Sequence, residues 1–161
     1  MTFPQLVRDF LAEQYAEHPV RSSGMGLTQY DDQLDDLSGE AFERRAASAA
    51  AWRERFAAFS DDGLSFDEAI DRDLIVGSLT EQSIYDEWRV WERHPDTYLN
   101  PGMRGVFVLF LHLLRPEAEL VASAAARLRQ VPDTLAAGRA NLRPELVRDL
   151  DHLAGILLAH G

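Results

Sequence analysis

The chain has 161 residues, a net charge of −11 at pH 7 and no cysteine. Its length favours a single domain that buries its own core, and the missing cysteine excludes disulfides and thiolate metal sites. The negative charge argues against nucleic acid or an anionic membrane as a partner, because both bind basic surfaces.

All 16 basic residues are arginine, a coding bias that indicates a GC-rich bacterial genome. The N-terminus does not show the basic segment followed by an apolar segment that marks a secretory signal peptide. The longest apolar run, Val106–Leu111, is far shorter than the ~20 residues that a membrane-spanning helix needs. A cytoplasmic location is therefore expected.

The first half of the chain shows apolar residues at the three- and four-residue spacing of amphipathic helices. A first helix is predicted over residues 3–17, where Thr2 and Gln5 can form a capping box. A loop over residues 21–37 separates it from a second helix, which is capped by Ser38 and continues towards Phe59.

The third predicted helix, from Ser65 to Arg93, begins with a capping box of Ser65 and Glu68. It is the longest and would be the centre of the bundle. Its heptad-like apolar stripe predicts lengthwise packing against a neighbouring helix. The stripe comprises Phe66, Ile70, Leu74, Gly77, Ile84, Trp88 and Trp91. A proline- and glycine-rich stretch, residues 94–105, is predicted to be a loop.

The second half of the chain contains an almost wholly apolar segment, residues 106–114, which predicts a buried helix. Prolines at typical helix starts predict further helices over 116–130, over 132–141 and from Pro144 onwards. Alternation with period two is never sustained, so no sheet is expected. The predicted fold is all-α: a single helical domain over residues 1–161, arranged as a multi-helix bundle around one long central helix.

Motifs for catalysis are missing from the chain. No histidine has a second histidine four positions away, so the His-Glu-x-x-His zinc motif is absent. The acidic segment 31–36 does not fit the calcium-binding loop of an EF-hand, because its sixth position is Asp36 instead of glycine. The sequence therefore predicts no catalytic residue, no metal ligand and no cofactor in this chain.

Three ordered motifs carry a family resemblance. The first is Pro19, Ser22-Ser23, Gly26 and Tyr30-Asp31; the second is Trp91, His94-Pro95 and Tyr98; the third is Arg127-Leu128, Val131-Pro132 and Arg139-Ala140-Asn141-Leu142. In this order they resemble the N-terminal portion of a bacterial family catalogued as domain of unknown function 885. Serines stand where that family usually has Ala-Thr, and His94 stands where it has asparagine.

The resemblance implies a helical, zinc-peptidase-like protein whose His-Glu-x-x-His motif lies far downstream of these motifs. It implies zinc for a longer family member only, because no position of this chain matches a zinc ligand. The chain would then be the N-terminal helical portion of a metallopeptidase-like hydrolase and form one wall of its substrate cleft. By itself it is not expected to be catalytic.

Four residues are candidates for lining that cleft: Tyr30, Asp31, Tyr98 and Arg104. Tyr30 and Asp31 belong to the first motif of the resemblance. Tyr98 and Arg104 lie in a predicted loop, where functional side chains are commoner than in helices.

An alternative function is a stand-alone helical module that binds a partner without catalysis. The expected partner is the remainder of a larger hydrolase-like chain or a second copy of this chain. Self-association would hide the apolar surface of residues 146–158 together with 106–114, most simply in a symmetric dimer.

Overall fold

The computed structural model describes residues 1–146, which fold into α-helices and connecting turns with no strand among them. This confirms the all-α fold class. The α-helices are α1 (Phe3–Glu17), α2 (Pro19–Gly24), α3 (Gly39–Ala57), α4 (Phe66–Glu87), α5 (Asp96–His112) and α6 (Glu117–Asn141). The predicted helix from Pro144 onwards lies almost entirely outside the described residues.

Helices α1, α3 and α4 share one hydrophobic core. Phe3, Leu6 and Phe10 form the buried face of α1 and meet Trp52 and Phe56 of α3. The rings pack edge to face, with the Phe10 and Phe56 centroids 5.4 Å apart, which is the arrangement that aromatic quadrupoles favour. The predicted caps of these helices are confirmed, since Thr2 and Gln5 form a capping box and Ser38 caps α3.

Helices α5 and α6 form an antiparallel hairpin in which glycines allow close contact. Gly138 of α6 lies against the Tyr98 ring, and Gly102 of α5 lies against Val131. One turn further, Gly105 faces the Arg127 side chain. Small residues at these positions let the two backbones approach more closely than larger side chains would permit.

The predicted bounds of the third helix are correct at its start and wrong at its end. Ser65 and Glu68 form the expected capping box, but α4 ends at Glu87 and not at Arg93. Arg89 takes a left-handed backbone conformation with φ of 47°, which ends the helix, and a 3-10 turn follows over Val90–Glu92. Arg89 also binds Glu43 of α3 and Glu92, so charged contacts hold this bend in place.

Two prolines do not break helices as the sequence suggested. The predicted loop over residues 94–105 is helical from Asp96 onwards, with Pro101 inside α5. The two predicted helices over 116–130 and 132–141 are one helix, α6, with Pro132 in its interior. Pro132 and Leu128 are both exposed, so water can bond the carbonyl that the missing proline N–H leaves free.

Residues 106–114 were predicted to be buried, and most of them are not. Leu109 is buried, but Phe107, Phe110 and Leu111 are exposed because only one face of α5 packs on α6 and α2. Within residues 1–146, no helix is both long enough and apolar enough to cross a membrane.

The close contact at Gly138 generates a prediction about stability. A Cβ atom on Gly138 would lie 2.9 Å from Cγ and 3.1 Å from Cβ of Tyr98, so Gly138→Ala forces the hairpin apart. We expect the free energy of unfolding to fall by about 1 kcal/mol or more, despite the better helix propensity of alanine. Urea denaturation measures the change.

Gly77→Ala in α4 is the matched control, since a Cβ atom there meets nothing within 4 Å. This substitution should raise the free energy of unfolding by about 0.5–1 kcal/mol through helix propensity alone. Equal responses of the two glycines would contradict close packing at Gly138.

Candidate functional site

The first two predicted site residues lie beside α2: Tyr30 ends a 3-10 turn, Thr28–Tyr30, and Asp31 follows it. Asp31 is buried and accepts hydrogen bonds from Ser23 Oγ at 2.7 Å and from Arg115 Nη1 at 3.4 Å. The carbonyl oxygen of Tyr30 accepts a bond of 3.0 Å from Arg127 Nη2. Both residues therefore serve as anchors between elements.

The other two predicted site residues, Tyr98 and Arg104, both belong to α5. Tyr98 is buried; its hydroxyl donates to the Trp91 carbonyl oxygen at 2.7 Å and accepts from Asn141 Nδ2 at 3.2 Å. Burial raises the pKa of Tyr98, and the hydrogen bond from Asn141 opposes this shift. Arg104 is exposed. The four residues are not gathered in one place, and their role in a substrate cleft stays a prediction.

The irregular segment over residues 27–38, called the strap below, is fixed to α6 through a buried guanidinium. Arg127 is fully buried; its Nη1 donates to the Gly105 carbonyl oxygen and its Nη2 to that of Tyr30. Burial lowers the pKa of Arg127, and the strap aspartates, Asp31 above all, act in the opposite direction. Its Nε has no hydrogen-bond partner within the described part of the chain.

Two further side chains of α6 bind the main chain of the strap. Gln130 accepts a 3.0 Å bond from the Leu34 N–H and donates a 2.7 Å bond to the Asp32 carbonyl oxygen. Asn141 donates to the Leu37 carbonyl oxygen at 2.9 Å. These bonds satisfy strap backbone groups that no helix or sheet satisfies.

Two aspartates of the strap bind backbone amides near the starts of neighbouring helices. Asp35 accepts from the Val20 N–H at the start of α2, at 3.0 Å. Asp36 accepts from the Ser38 N–H at 2.9 Å, and this bond lowers the pKa of Asp36. Gly26, which precedes the strap, has φ of 92°, a left-handed conformation that glycine adopts without the steric cost of a Cβ atom.

A groove with a volume of about 910 Å³ separates the α1–α3–α4 core from α2 and α5. Side chains of all five of these helices line it, together with Asp35 and Leu37 of the strap. Its apolar lining comes mainly from α1 and α4, with Phe10, Leu11, Leu74, Ile75 and Leu79 among the residues. The sequence did not predict this groove, because it depends on how the helices are spaced.

Several of the charged side chains that line the groove form ion pairs. Glu17 of α1 binds Arg44 Nη2 at 3.0 Å and lies 3.7 Å from Arg45 Nη1, both in α3. Burial lowers the pKa of Arg45, whereas Glu17 raises it. Glu13 accepts a 2.9 Å bond from Trp52 Nε1. The pairs join α1 to α3 and leave the groove without a strong excess of one charge.

Among the side chains that the structure describes, no group of three or more His, Asp or Glu is placed to hold a metal ion. His18 lines the groove, and its Nδ1 lies 4.0 Å from Asp35 Oδ2. The side chains of the groove can hold an organic ligand by apolar contact and hydrogen bonding.

Comparison with protein families gives one match, and it covers most of the chain. The family model described as a bacterial protein of unknown function, DUF885, matches residues 19–154. The chain belongs to this family. The match begins at Pro19, the first residue of the first motif, and it spans all three motifs. No curated protein matches the chain.

A solved structure similar to this DUF885 chain is that of a "putative lipoprotein" of unknown function from Shewanella oneidensis. The two share 22% sequence identity with a TM-score of 0.77, so the similarity shows the fold. It covers 89% of this chain and 26% of the lipoprotein chain. The chain thus spans about a quarter of the length of the protein that it matches.

The buried guanidinium of Arg127 generates a prediction about the strap. Arg127→Ala removes one charged donor from the Gly105 carbonyl and one from the Tyr30 carbonyl, and each bond from a charged group contributes about 1.5–3 kcal/mol. We expect the free energy of unfolding to fall by about 2 kcal/mol or more. Arg129→Ala, on the exposed side of the same helix, is the control and should change it by about 0.5 kcal/mol at most. Similar losses for both variants would refute this role of Arg127.

The carboxylate of Glu92 generates a prediction about pH. Its pKa lies below the ordinary value of 4.5, mainly because Arg89 Nη2 donates to it at 2.9 Å. A lowered pKa stabilises the fold above the unfolded-state pKa, and this stabilisation disappears as the pH falls through the folded-state pKa. Glu92→Gln should therefore cost about 1 kcal/mol at neutral pH, because Arg89 is partly exposed and water screens the pair.

Urea denaturation of Glu92→Gln and the parent chain, at neutral pH and in acid, measures this effect. The difference between the two proteins should shrink below pH 4.5, since protonated glutamate resembles glutamine in charge. Glu87→Gln at the exposed end of α4 serves as the control. A difference that persists unchanged in acid would contradict the charge pairing of Glu92.

Proposed function

We propose that this DUF885 chain is the N-terminal helical portion of a metallopeptidase-like hydrolase, and that its groove forms one wall of the substrate cleft. The observation that carries the proposal is the groove itself. Its volume of about 910 Å³ lies in the range of roughly 300–1,000 Å³ that ligand sites occupy. The zinc and its ligands, which the family resemblance implies, would belong to a longer chain.

The composition of the groove suits a peptide with apolar side chains. Leu74, Ile75 and Leu79 of α4 provide apolar contact along one side. Gln14 and Gln82 line the same groove and offer amide groups that can bond a peptide main chain. Such a combination of apolar surface and a few polar groups is typical of small-ligand sites.

The charge balance of the groove points to the same ligand class. Four carboxylates, those of Glu13, Glu17, Asp35 and Asp86, line it together with the three guanidinium groups of Arg21, Arg44 and Arg45. Because these charges nearly cancel, the groove favours a ligand of low net charge. Phosphorylated or strongly basic ligands would find no complementary field there.

A second candidate function is a stand-alone helical binding module. The observation that favours it is the self-contained core of α1, α3 and α4, in which Leu6 and Phe56 are fully buried. Such a core would let the chain fold and bind a partner without further polypeptide. The cytoplasmic location, and the absence of nucleic-acid and membrane partners, stay predictions from composition.

Peptide binding to the full chain tests the proposal. The probe is an uncharged, blocked tetrapeptide with leucine and phenylalanine side chains. Its binding is measured by calorimetry or by NMR chemical-shift changes. Ser78→Trp places an indole in the groove, and we expect it to weaken binding about tenfold or more. Ala50→Trp, at an exposed position of α3 outside the groove lining, is the matched control and should leave affinity unchanged.

The same peptide provides the enzymatic readout. We expect the chain alone to leave it uncleaved with or without added zinc. Chelator-sensitive cleavage by the purified chain would refute the assignment of catalysis to a longer protein. Absence of binding, or binding that Ser78→Trp does not weaken, would overturn the groove as a cleft wall.

A further inference from the structure

Helix α4 carries two apolar faces, and only one of them belongs to the core. Ile75, Val76 and Leu79 face α1 and α3. The opposite face, called the outer stripe below, exposes 80% of Phe66, 66% of Leu74 and 62% of Trp88. The full outer stripe is Phe66, Ile70, Leu74, Gly77, Ile84 and Trp88.

The outer stripe corrects the expectation from the sequence. Its spacing predicted lengthwise helix packing, but within residues 1–146 the packed face of α4 is the other one. At 3.6 residues per turn, positions 66, 70, 74, 77, 84 and 88 fall within one sector of about 80°. Single exposed apolar residues are ordinary, whereas a continuous exposed stripe marks an interaction surface.

The dimensions of the outer stripe fit a helix. Helix α4 has 22 residues, so at 1.5 Å per residue it is about 33 Å long. The spacings along the stripe, with Glu81 counted at the position that interrupts it, are three or four residues, as in a seam between two helices. Gly77 lies at the middle of the stripe with open space over its Cα, which would let a second helix approach closely.

The charges around the outer stripe select among possible occupants. Acidic residues flank it on both sides or interrupt it: Asp67, Asp71, Asp73, Glu81 and Glu87. The sole arginine of α4, Arg72, is already bound to Asp61 and Asp73. A second copy of α4 would therefore set carboxylates against carboxylates. Residues 147–161 fit poorly as well, because they hold Asp149 and Asp151 against one arginine, Arg148.

We propose that the outer stripe docks an amphipathic helix with an apolar seam and basic flanks, contributed by the remainder of the larger hydrolase. This inference rests on the proposed function for the source of the helix. Apolar side chains of the incoming helix contact the outer stripe, and its arginines or lysines pair with the flanking carboxylates of α4. Charge complementarity sets the orientation and partner choice, while the apolar seam supplies most of the affinity.

Binding of designed helices to the full chain tests this docking surface. The probe is a peptide of about 20 residues with a leucine seam and arginine flanks, and the control peptide has the same seam with glutamate flanks. The arginine peptide should bind about tenfold or more tightly than the glutamate peptide, and this preference should decrease with added salt. Equal binding of the two peptides would overturn the proposal.

Substitutions on the chain locate the site. Phe66→Gln combined with Trp88→Gln should weaken binding of the arginine peptide about tenfold or more, since both side chains are exposed and offer large apolar contact. Phe107→Gln removes a comparably exposed aromatic from α5 and should change affinity by about twofold at most. Unfolding curves of each variant check that it remains folded. Loss of affinity in Phe107→Gln alone would overturn the assignment to α4.

Other occupants give distinct results. Self-association that the combined Phe66 and Trp88 substitutions abolish would assign the outer stripe to a second copy. Tighter peptide binding after removal of residues 147–161 would assign it to that segment. Either result overturns the proposal. The groove and the outer stripe share Leu74, but Phe66 and Trp88, which the helix experiment replaces, do not line the groove. The combined Phe66 and Trp88 substitutions should therefore leave tetrapeptide binding unchanged, so failure of one proposal is distinguishable from failure of the other.

Discussion

The buried guanidinium of Arg127 connects three parts of the molecule, α5, α6 and the strap, through a single side chain. Arg127 belongs to α6, and its guanidinium donates to the Gly105 carbonyl oxygen of α5 and to the Tyr30 carbonyl oxygen of the strap. A planar group with several donors in fixed directions suits this task, because a lysine ammonium cannot present the same fork. The strap position in turn sets where α2 and α3 begin, through Asp35 and Ser38. Two residues that line the groove, Asp35 and Leu37, therefore depend on an interaction that lies outside the groove.

Local signals in the sequence predicted much of the fold. The capping boxes at Thr2 and Ser65 and the cap at Ser38 gave the starts of α1, α4 and α3 correctly, because a cap is a short-range hydrogen bond between neighbours in sequence. The all-α class followed from periodicity. The family followed from the ordered motifs, and the family model confirms it over residues 19–154.

Features that depend on tertiary spacing were not predictable in the same way. Pro132 reads as a helix start, yet it lies inside α6 because the hairpin with α5 outweighs the loss of one hydrogen bond. The apolar spacing of α4 revealed that a stripe exists but could not reveal that the core uses the opposite face. Arg127 lies among the buried positions Leu120, Ala124 and Thr134 of α6, so its phase on the helix was the available signal for its burial. The groove has no sequence signal at all, since five helices contribute to it.

The bonds between α6 and the strap also bear on how this family diverges. Arg127, Gln130 and Asn141 bind carbonyl and amide groups of the strap main chain, not its side chains. Every residue type offers that carbonyl, so substitutions along the strap preserve most of these bonds as long as its path is kept. At these bonds selection would then act on the three α6 positions, and strap positions whose side chains are exposed and make no bond of their own could change freely. Such a division between constrained and unconstrained positions is one way for a backbone to persist at 22% identity.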